Sequence, residues 1–166
     1  KEMINVAAEA GADFVKFQTF KADKLVTKMA EKAEYQKFFT ESNESQFKMI
    51  KRVELNRTAH KKLIKHCKDK GIRFLSTPFD HDSIDFLAEL NIPLYKIPSG
   101  EITNLPHLRH IGRMGKPIIM STGMATLQEV QTALNVLVES GIEKNHVTIL
   151  QCNTEYPTPM EDVNLN

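Results

Sequence analysis

Polar residues cluster at the ends of short apolar runs in this chain. Lys16, Gln18 and Thr19 fall in and at the end of FVKFQT, and Ser76 and Thr77 close IRFLST. Lys96, Ser99 and Glu101 lie in or just past PLYKIPS, and Ser121 and Thr122 close PIIMST. Asn153, Thr154, Glu155 and Tyr156 follow VTILQC. The sharpest case is LYKIPSGE at 94–101, where a cation stands inside an apolar strand that runs straight into Ser99-Gly100-Glu101. An unpaired buried ammonium is costly, so Lys96 must face water or an anion. Two strand lysines with several hydroxyls make an anion site. The lysines supply charge, and the hydroxyls and backbone amides supply directed donors, which suits a phosphate or a carboxylate.

The elements that position these residues alternate. Strand patterns at 14–19, 72–77, 93–99, 117–122 and 147–153 are separated by amphipathic helical patterns: TAHKKLIKHCKDKG, SIDFLAELN, NLPHLRHIGRMG and TLQEVQTALNVLVESG. Thr126 with Glu129 predicts a capping box that opens the last of these, and Gly141 closes it. Apolar strands alternating with helices predict a parallel sheet covered by helices. An open doubly wound sheet would show a glycine-rich first turn for phosphates, and no G-x-G-x-x-G occurs. Different polar residues at every strand end suit a (β/α)8 TIM barrel, which spreads its chemistry over many strand ends on one face. With about five βα units the expectation is a partial barrel. Residues 20–57 interrupt the rhythm as a long connection, expected to be functional, with QFKMIKRVEL as a helix and its first half crossing the barrel mouth.

Barrels also hold interior Lys–Glu pairs that serve only the fold. For one strand lysine that reading and ligand binding weigh about equally; two lysines plus hydroxyls on four strand ends favour a ligand. The pattern alone leads to an enzyme handling a small phosphorylated acid.

Composition narrows the classes further. The chain has 166 residues, 41% hydrophobic and 26% charged, with 22 Lys and Arg against 21 Asp and Glu. That balance points neither to nucleic acid nor to a membrane surface. No apolar run approaches the roughly 20 residues of a spanning helix, and no secretory leader pattern is present. Cys67 and Cys152 fit no disulfide framework or zinc spacing, so a reducing cytoplasm is expected. The uncapped helical periodicity from Lys1 and the abrupt end at EDVNLN read as the interior of a longer protein.

KFQTFKADKL, STPFDHDSIDFLA, YKIPSGE, STGMAT and CNTEYPTPMEDVNLN, in this order, closely resemble bacterial sialic acid synthase (N-acetylneuraminate synthase) over essentially the whole chain. The resemblance implies condensation of phosphoenolpyruvate with N-acetylmannosamine and water to give N-acetylneuraminate and phosphate. It places these units at the second to sixth strands of a (β/α)8 barrel, so that 1–166 is a fragment of the catalytic domain. It implies that Lys16, Thr77, Lys96, Ser99 and Ser121 hold the phosphate or carboxylate of phosphoenolpyruvate. Gln18, Phe79, Glu101 and Tyr156 match positions near the amino sugar, and Lys16, Lys96 and Glu101 are the residues assigned to catalysis. A divalent metal, manganese or magnesium, is implied with its ligands outside this chain: the histidines belong to the seventh and eighth strands. The first strand, with its proposed catalytic glutamate, and an antifreeze-like C-terminal domain also lie outside. A cytoplasmic homodimer is the implied assembly of the whole protein. Gln151 stands where many members have His, and Asn153-Thr154 reverses an order seen in some relatives, so no role is carried onto Thr154.

Within the same chemistry the alternative is a synthase of legionaminic or pseudaminic acid; KADKL with KAEYQ in the connection resembles the N-acetylneuraminate type. A non-catalytic binding module on the same scaffold is the alternative of another class. Other residues carry plainer expectations. His107 and His110 are expected to be solvated helix residues, Cys152 inert packing, Met124 packed at the rim, and the lysine-rich segments solvated helix faces. His81 reads equally as a mouth residue or a helix N-terminal surface residue. Alone, the 166-residue chain is expected to lack synthase activity and, with raw barrel edges, to aggregate or find a partner edge.

Overall fold

The structure is a computed structural model that describes residues 1–32, 37, 44–155 and 157–165. Tyr156 and almost all of the KAEYQ stretch lie outside the described residues. The chain divides into two compact units, Lys1–Phe74 and Leu75–Asn166.

In the first unit, helix α1 (Glu2–Glu9) buries Ile4 and has no side-chain cap, as its sequence predicts. It stops before Gly11, whose φ of +76° only glycine adopts without strain. Strand β1 (Phe14–Thr19) occupies the predicted range. Its side chains alternate, which leaves Lys16 and Gln18 exposed while Phe17 stacks on Phe74 with ring centroids 5.4 Å apart. Helices α2 (Ala22–Leu25), α3 (Gln46–Arg52) and α4 (Arg57–Asp69) follow. The Ser45 hydroxyl caps α3 by accepting from Lys48 N, and Asn56 caps α4 by accepting from Ala59 N at 2.8 Å. Strand β2 (Arg73–Pro78) begins in this unit and forms a two-stranded sheet with β1.

In the second unit, helix α5 (His81–Glu89) is capped by Asp80, whose carboxylate accepts from Ser83 N and Ser83 Oγ at 2.9 and 2.7 Å. Strand β3 (Tyr95–Ile97), helix α6 (Leu105–Gly112), strand β4 (Ile118–Ser121), helix α7 (Leu127–Glu139) and strand β5 (Val147–Leu150) complete it. The predicted capping box at Thr126 and Glu129 is present in both directions.

Strands β3, β4 and β5 form a parallel sheet in which Lys96 pairs with Ile119 and Ser121 with Leu150. Alternation sends Tyr95, Ile97, Ile118 and Met120 to one face, where all are buried. Ile84, Leu87, Leu108, Ile111 and Leu137 are buried in helices α5–α7, and complete burial of such a side chain contributes about 1.5–3 kcal/mol. Lys96, Ile119 and Ser121 take the other face. Helix α6 comes so close to the end of α7 that a Cβ on Gly112 would lie 2.5 Å from Ser140 Cβ.

Three strands are shorter than their patterns predict, β4 by one residue at each end and β3 and β5 by more. Pro98 carries no N–H, and the chain tightens at once into a 3-10 turn, Ser99–Glu101, so β3 ends at Ile97. Beyond Leu150 the Thr122 side chain replaces the ladder: its hydroxyl donates to Leu150 O at 3.1 Å and accepts from Cys152 N at 3.3 Å.

Candidate anion site at the strand ends

The question raised by Lys96 has a local answer. With Ser121 two residues beyond the pairing partner Ile119 on the same face, the Lys96 ammonium reaches across to it. Lys96 Nζ donates to Ser121 Oγ at 2.6 Å and to the carbonyl of Ile97 at 2.8 Å, in a half-buried position. The Ser121 hydroxyl is buried and accepts from the cation, so its own proton is left to donate. A cation beside a hydroxyl with an available O–H is a matched pair of donors for a phosphate or carboxylate oxygen.

Thr77, at the end of β2, strengthens this reading. It is 2% exposed, and its Oγ1 is buried without a hydrogen-bond partner among the described residues. Leaving such a group unsatisfied costs about 1–3 kcal/mol, which a ligand oxygen would recover. Phe79 follows, half-buried. Ser99 and Glu101 lie on the 3-10 turn after β3, both half-buried. Glu101 Oε2 accepts from Asn104 Nδ2 at 2.7 Å, and the same asparagine caps α6 by accepting from His107 N, so the carboxylate is tied to a helix start. Ser99 is pressed by the turn after β4: a Cβ on Gly123 would lie 2.5 Å from Ser99 Cβ and 2.6 Å from Ser99 Oγ. Beside Ser99 opens a cavity of about 210 Å³ lined by Ile102, Thr103, Ala125, Glu129 and Thr154 among others.

In the first unit Lys16 and Gln18 project from the exposed side of β1. The end of β1 is anchored from behind. Asn56 O accepts from His60 Nδ1 at 2.9 Å, which leaves Nε2 to accept from Thr19 Oγ1 at 2.8 Å. Burial pushes the His60 imidazole below its ordinary pKa, the bond to Asn56 opposes this and the Lys21 charge adds to it, consistent with a neutral ring. The segment after β1 is held by Glu54, which accepts from Ala22 N at 3.0 Å, Lys21 Nζ at 3.1 Å and Lys51 Nζ at 2.9 Å. Burial raises the Glu54 pKa, but the bonds from Ala22, Lys51 and Lys21 outweigh it and hold the carboxyl at about 2. Neither anchor is signalled by a motif; the acid sits 32 residues from Ala22, the amide it caps.

The expectation for His107 is corrected. It is 1% exposed, because it shares the core-facing side of α6 with Leu108 and Ile111. Both its ring nitrogens are buried without hydrogen-bond partners among the described residues. His81, exposed as the first residue of α5, sets its ring 6.1 Å from that of His107 and 5.0 Å from that of His110. His110 is partly exposed and paired with Asp85 at 2.7 Å. Burial, then the neighbouring His81 and His110, push the His107 pKa down to about 4, with Asp80 opposing. Met124 is 84% exposed instead of packed. Cys67 is buried and Cys152 half-buried, both as free thiols. Among the described residues no three His, Cys, Asp or Glu side chains are grouped to hold a metal ion, and no helix is long and apolar enough to cross a membrane.

These strand ends can be set beside known proteins. The sequence matches the NeuB family over residues 3–166. The chain belongs to the NeuB family. It is 53% identical over 99% of its length to N,N'-diacetyllegionaminic acid synthase of Campylobacter jejuni, and 46% identical over 99% to the Legionella pneumophila protein of the same name. It covers 49% and 47% of those two proteins, so it spans about half their length. In fold it superposes on N-acetylneuraminic acid synthetase from Leptospira borgpetersenii, crystallised with citrate, with a TM-score of 0.80 at 26% identity, over 98% of this chain and 51% of that one. This NeuB family chain is therefore an α/β fold of parallel strands, part of a barrel of the kind its sequence predicts.

Proposed function

We propose that this chain is the phosphoenolpyruvate-holding part of a nonulosonic acid synthase. The observation that carries the reading is the Lys96–Ser121 pair at 2.6 Å, on the face of the parallel sheet opposite Tyr95, Ile97, Ile118 and Met120. Thr77 Oγ1, buried and unsatisfied, and Ser99 supply further hydroxyl donors in the same unit. Citrate, bound to the related Leptospira synthetase, is itself a carboxylate-rich anion. In the proposed reaction C3 of phosphoenolpyruvate forms a bond to the aldehyde carbon of an open-chain amino sugar. Water adds at C2, and the C2–O bond breaks to release phosphate. Lys96, Ser121, Ser99 and Thr77 hold the anionic groups, offsetting their charge and fixing the attacking carbon; Lys16 on β1 is assigned the same task by resemblance. Positioning and charge stabilisation of this kind supply most of the rate in such a step. Gln18, Phe79, Glu101 and Tyr156 are assigned to the sugar. A manganese or magnesium ion would polarise the aldehyde as a Lewis acid. The described residues offer no ligand group for it, so no step here runs through the metal.

For the acceptor we favour a diacetamido sugar, giving an N,N'-diacetyllegionaminic acid, because the 53% and 46% identical relatives carry that name. N-acetylmannosamine, with N-acetylneuraminate as product, is the second reading; the KADKL segment and the 26% identical Leptospira synthetase favour it. The test is phosphate release from phosphoenolpyruvate by the full-length protein with manganese, comparing the two acceptors. Turnover with the diacetamido sugar is expected. Turnover with N-acetylmannosamine alone would shift the assignment to the second reading, and none with either sugar would leave the binding-module alternative.

A further inference from the structure

We propose that Gly123 is a positioning residue for phosphoenolpyruvate, acting through Ser99. The inference rests on the proposed function, in which Ser99 touches that substrate. The Ser99 hydroxyl makes no hydrogen bond to another of the described residues, so its direction is set by packing. The surface it packs on is the backbone of Gly123, at φ +53°, in the turn that leaves β4 two residues after Ser121. A Cβ at 123 would stand 2.5 Å from Ser99 Cβ, 2.6 Å from Ser99 Oγ and 3.2 Å from Thr154 Cγ2. The first two distances cannot be tolerated, and Ser99 would have to turn or retreat. The absence of a side chain at 123 thus lets the turn that follows Ser121 close against the turn carrying Ser99, which fixes where the Ser99 hydroxyl stands.

Other glycines separate this effect from its components. Gly115 shares the left-handed backbone, at φ +66°, but a Cβ there would meet nothing within 4 Å; Gly112 meets Ser140 Cβ at 2.5 Å but lies in α6, away from the strand ends. Of the glycines, Gly123 alone combines positive φ with a close approach. Alanine at 115 therefore tests strain, at 112 tests collision, and at 123 tests both against a site residue.

The experiment measures steady-state KM for phosphoenolpyruvate and for the acceptor sugar in full-length protein, with thermal midpoints alongside. Gly123→Ala is expected to raise KM for phosphoenolpyruvate roughly tenfold or more, while acceptor KM stays within about twofold. Gly115→Ala and Gly112→Ala are expected to lower the midpoint without moving either KM. In a Ser99→Gly background, which removes the collision, Gly123→Ala should add nothing to KM for phosphoenolpyruvate. This double variant also decides the matter if Gly123→Ala alone does not fold. An unchanged phosphoenolpyruvate KM in Gly123→Ala, or a further rise in the Ser99→Gly background, overturns the inference and leaves the proposed function standing. Wild-type protein with no phosphoenolpyruvate-dependent turnover overturns both.

Discussion

The end of β1 and the ends of β3 and β4 each present a lysine, yet they are built from different forces. At β3 and β4 the parts are short-range: a 2.6 Å bond from Lys96 to Ser121 and a glycine against Ser99. After β1 the parts are long side chains around one acid, with Lys21 and Lys51 converging on Glu54 and Lys16 itself exposed. Surface ion pairs contribute about 0–1 kcal/mol each and are screened by salt, whereas a hydrogen-bonded cation in a half-buried sheet is not easily screened. The first arrangement can hold a ligand's charge in a fixed place. The second can hold a connection while leaving it adjustable.

The largest expected effect removes the fixed cation. Lys96→Ala in the full-length protein should cost on the order of a hundredfold or more in phosphoenolpyruvate-dependent turnover, as loss of one preorganised charged donor does elsewhere. The midpoint should change little, because the Lys96 side chain lies off the sheet face that buries Tyr95, Ile97, Ile118 and Met120. Turnover within a fewfold of wild type would show that Lys96 is a structural lysine after all, and the contrast between the two regions would collapse.

Thr77→Val sharpens the same contrast with effects of opposite sign. Removing an unsatisfied buried hydroxyl should stabilise the ligand-free protein by about 1 kcal/mol, while affinity for phosphoenolpyruvate falls several-fold. Calorimetric titration and thermal melts of the same preparations test both halves. A variant that is less stable and binds equally well would mean that Thr77 has a structural partner instead of a ligand.

The histidine cluster gives a pH effect away from the strand ends. The His107 pKa is depressed to about 4, so the folded state binds fewer protons than the unfolded chain. Its contribution to stability is complete above the unfolded value of about 6.5 and is lost as pH falls from there toward about 4. His81, His110 and Asp80 are the titratable neighbours acting on it. His107→Leu should match wild type at pH 7 within about 1 kcal/mol and be more stable at pH 5, since two orphaned nitrogens are replaced by an apolar group. An equal loss between pH 7 and pH 5 in both proteins would place the acid sensitivity elsewhere.

Local pattern makes the strand–helix alternation legible, along with the range of β1 and the capping box on α7, because each depends on residues a few positions apart. The Lys96–Ser121 pair is legible only as two polar residues at strand ends. Their meeting needs the register of Tyr95 on Ile118, which no local pattern contains. His107 is misread in the sequence for a related reason. A lone histidine reads as polar, but its position one turn before Ile111 puts it on the buried face of α6. Glu54 is invisible altogether, since nothing near it in sequence reveals that it caps Ala22.

Glu54 supplies the smallest and most condition-dependent prediction. With the carboxyl held at about 2, its contribution to stability is present above the unfolded carboxylate range and lost as pH falls from about 4.5 toward 2. Glu54→Gln keeps the shape and removes the charge. It should lower stability at pH 7 by about 1 kcal/mol, and added salt should narrow the gap because the Lys21 and Lys51 partners are about half exposed. Near pH 3 the gap should narrow too, as the same carboxyl in the unfolded chain has taken up its proton. Turnover at saturating substrate should be unaffected, with at most a small rise in acceptor KM if the connection after β1 helps to hold the sugar. A gap that persists in high salt would mean that the bond to Ala22 N dominates, and that the two regions are held by more similar forces than their charges suggest.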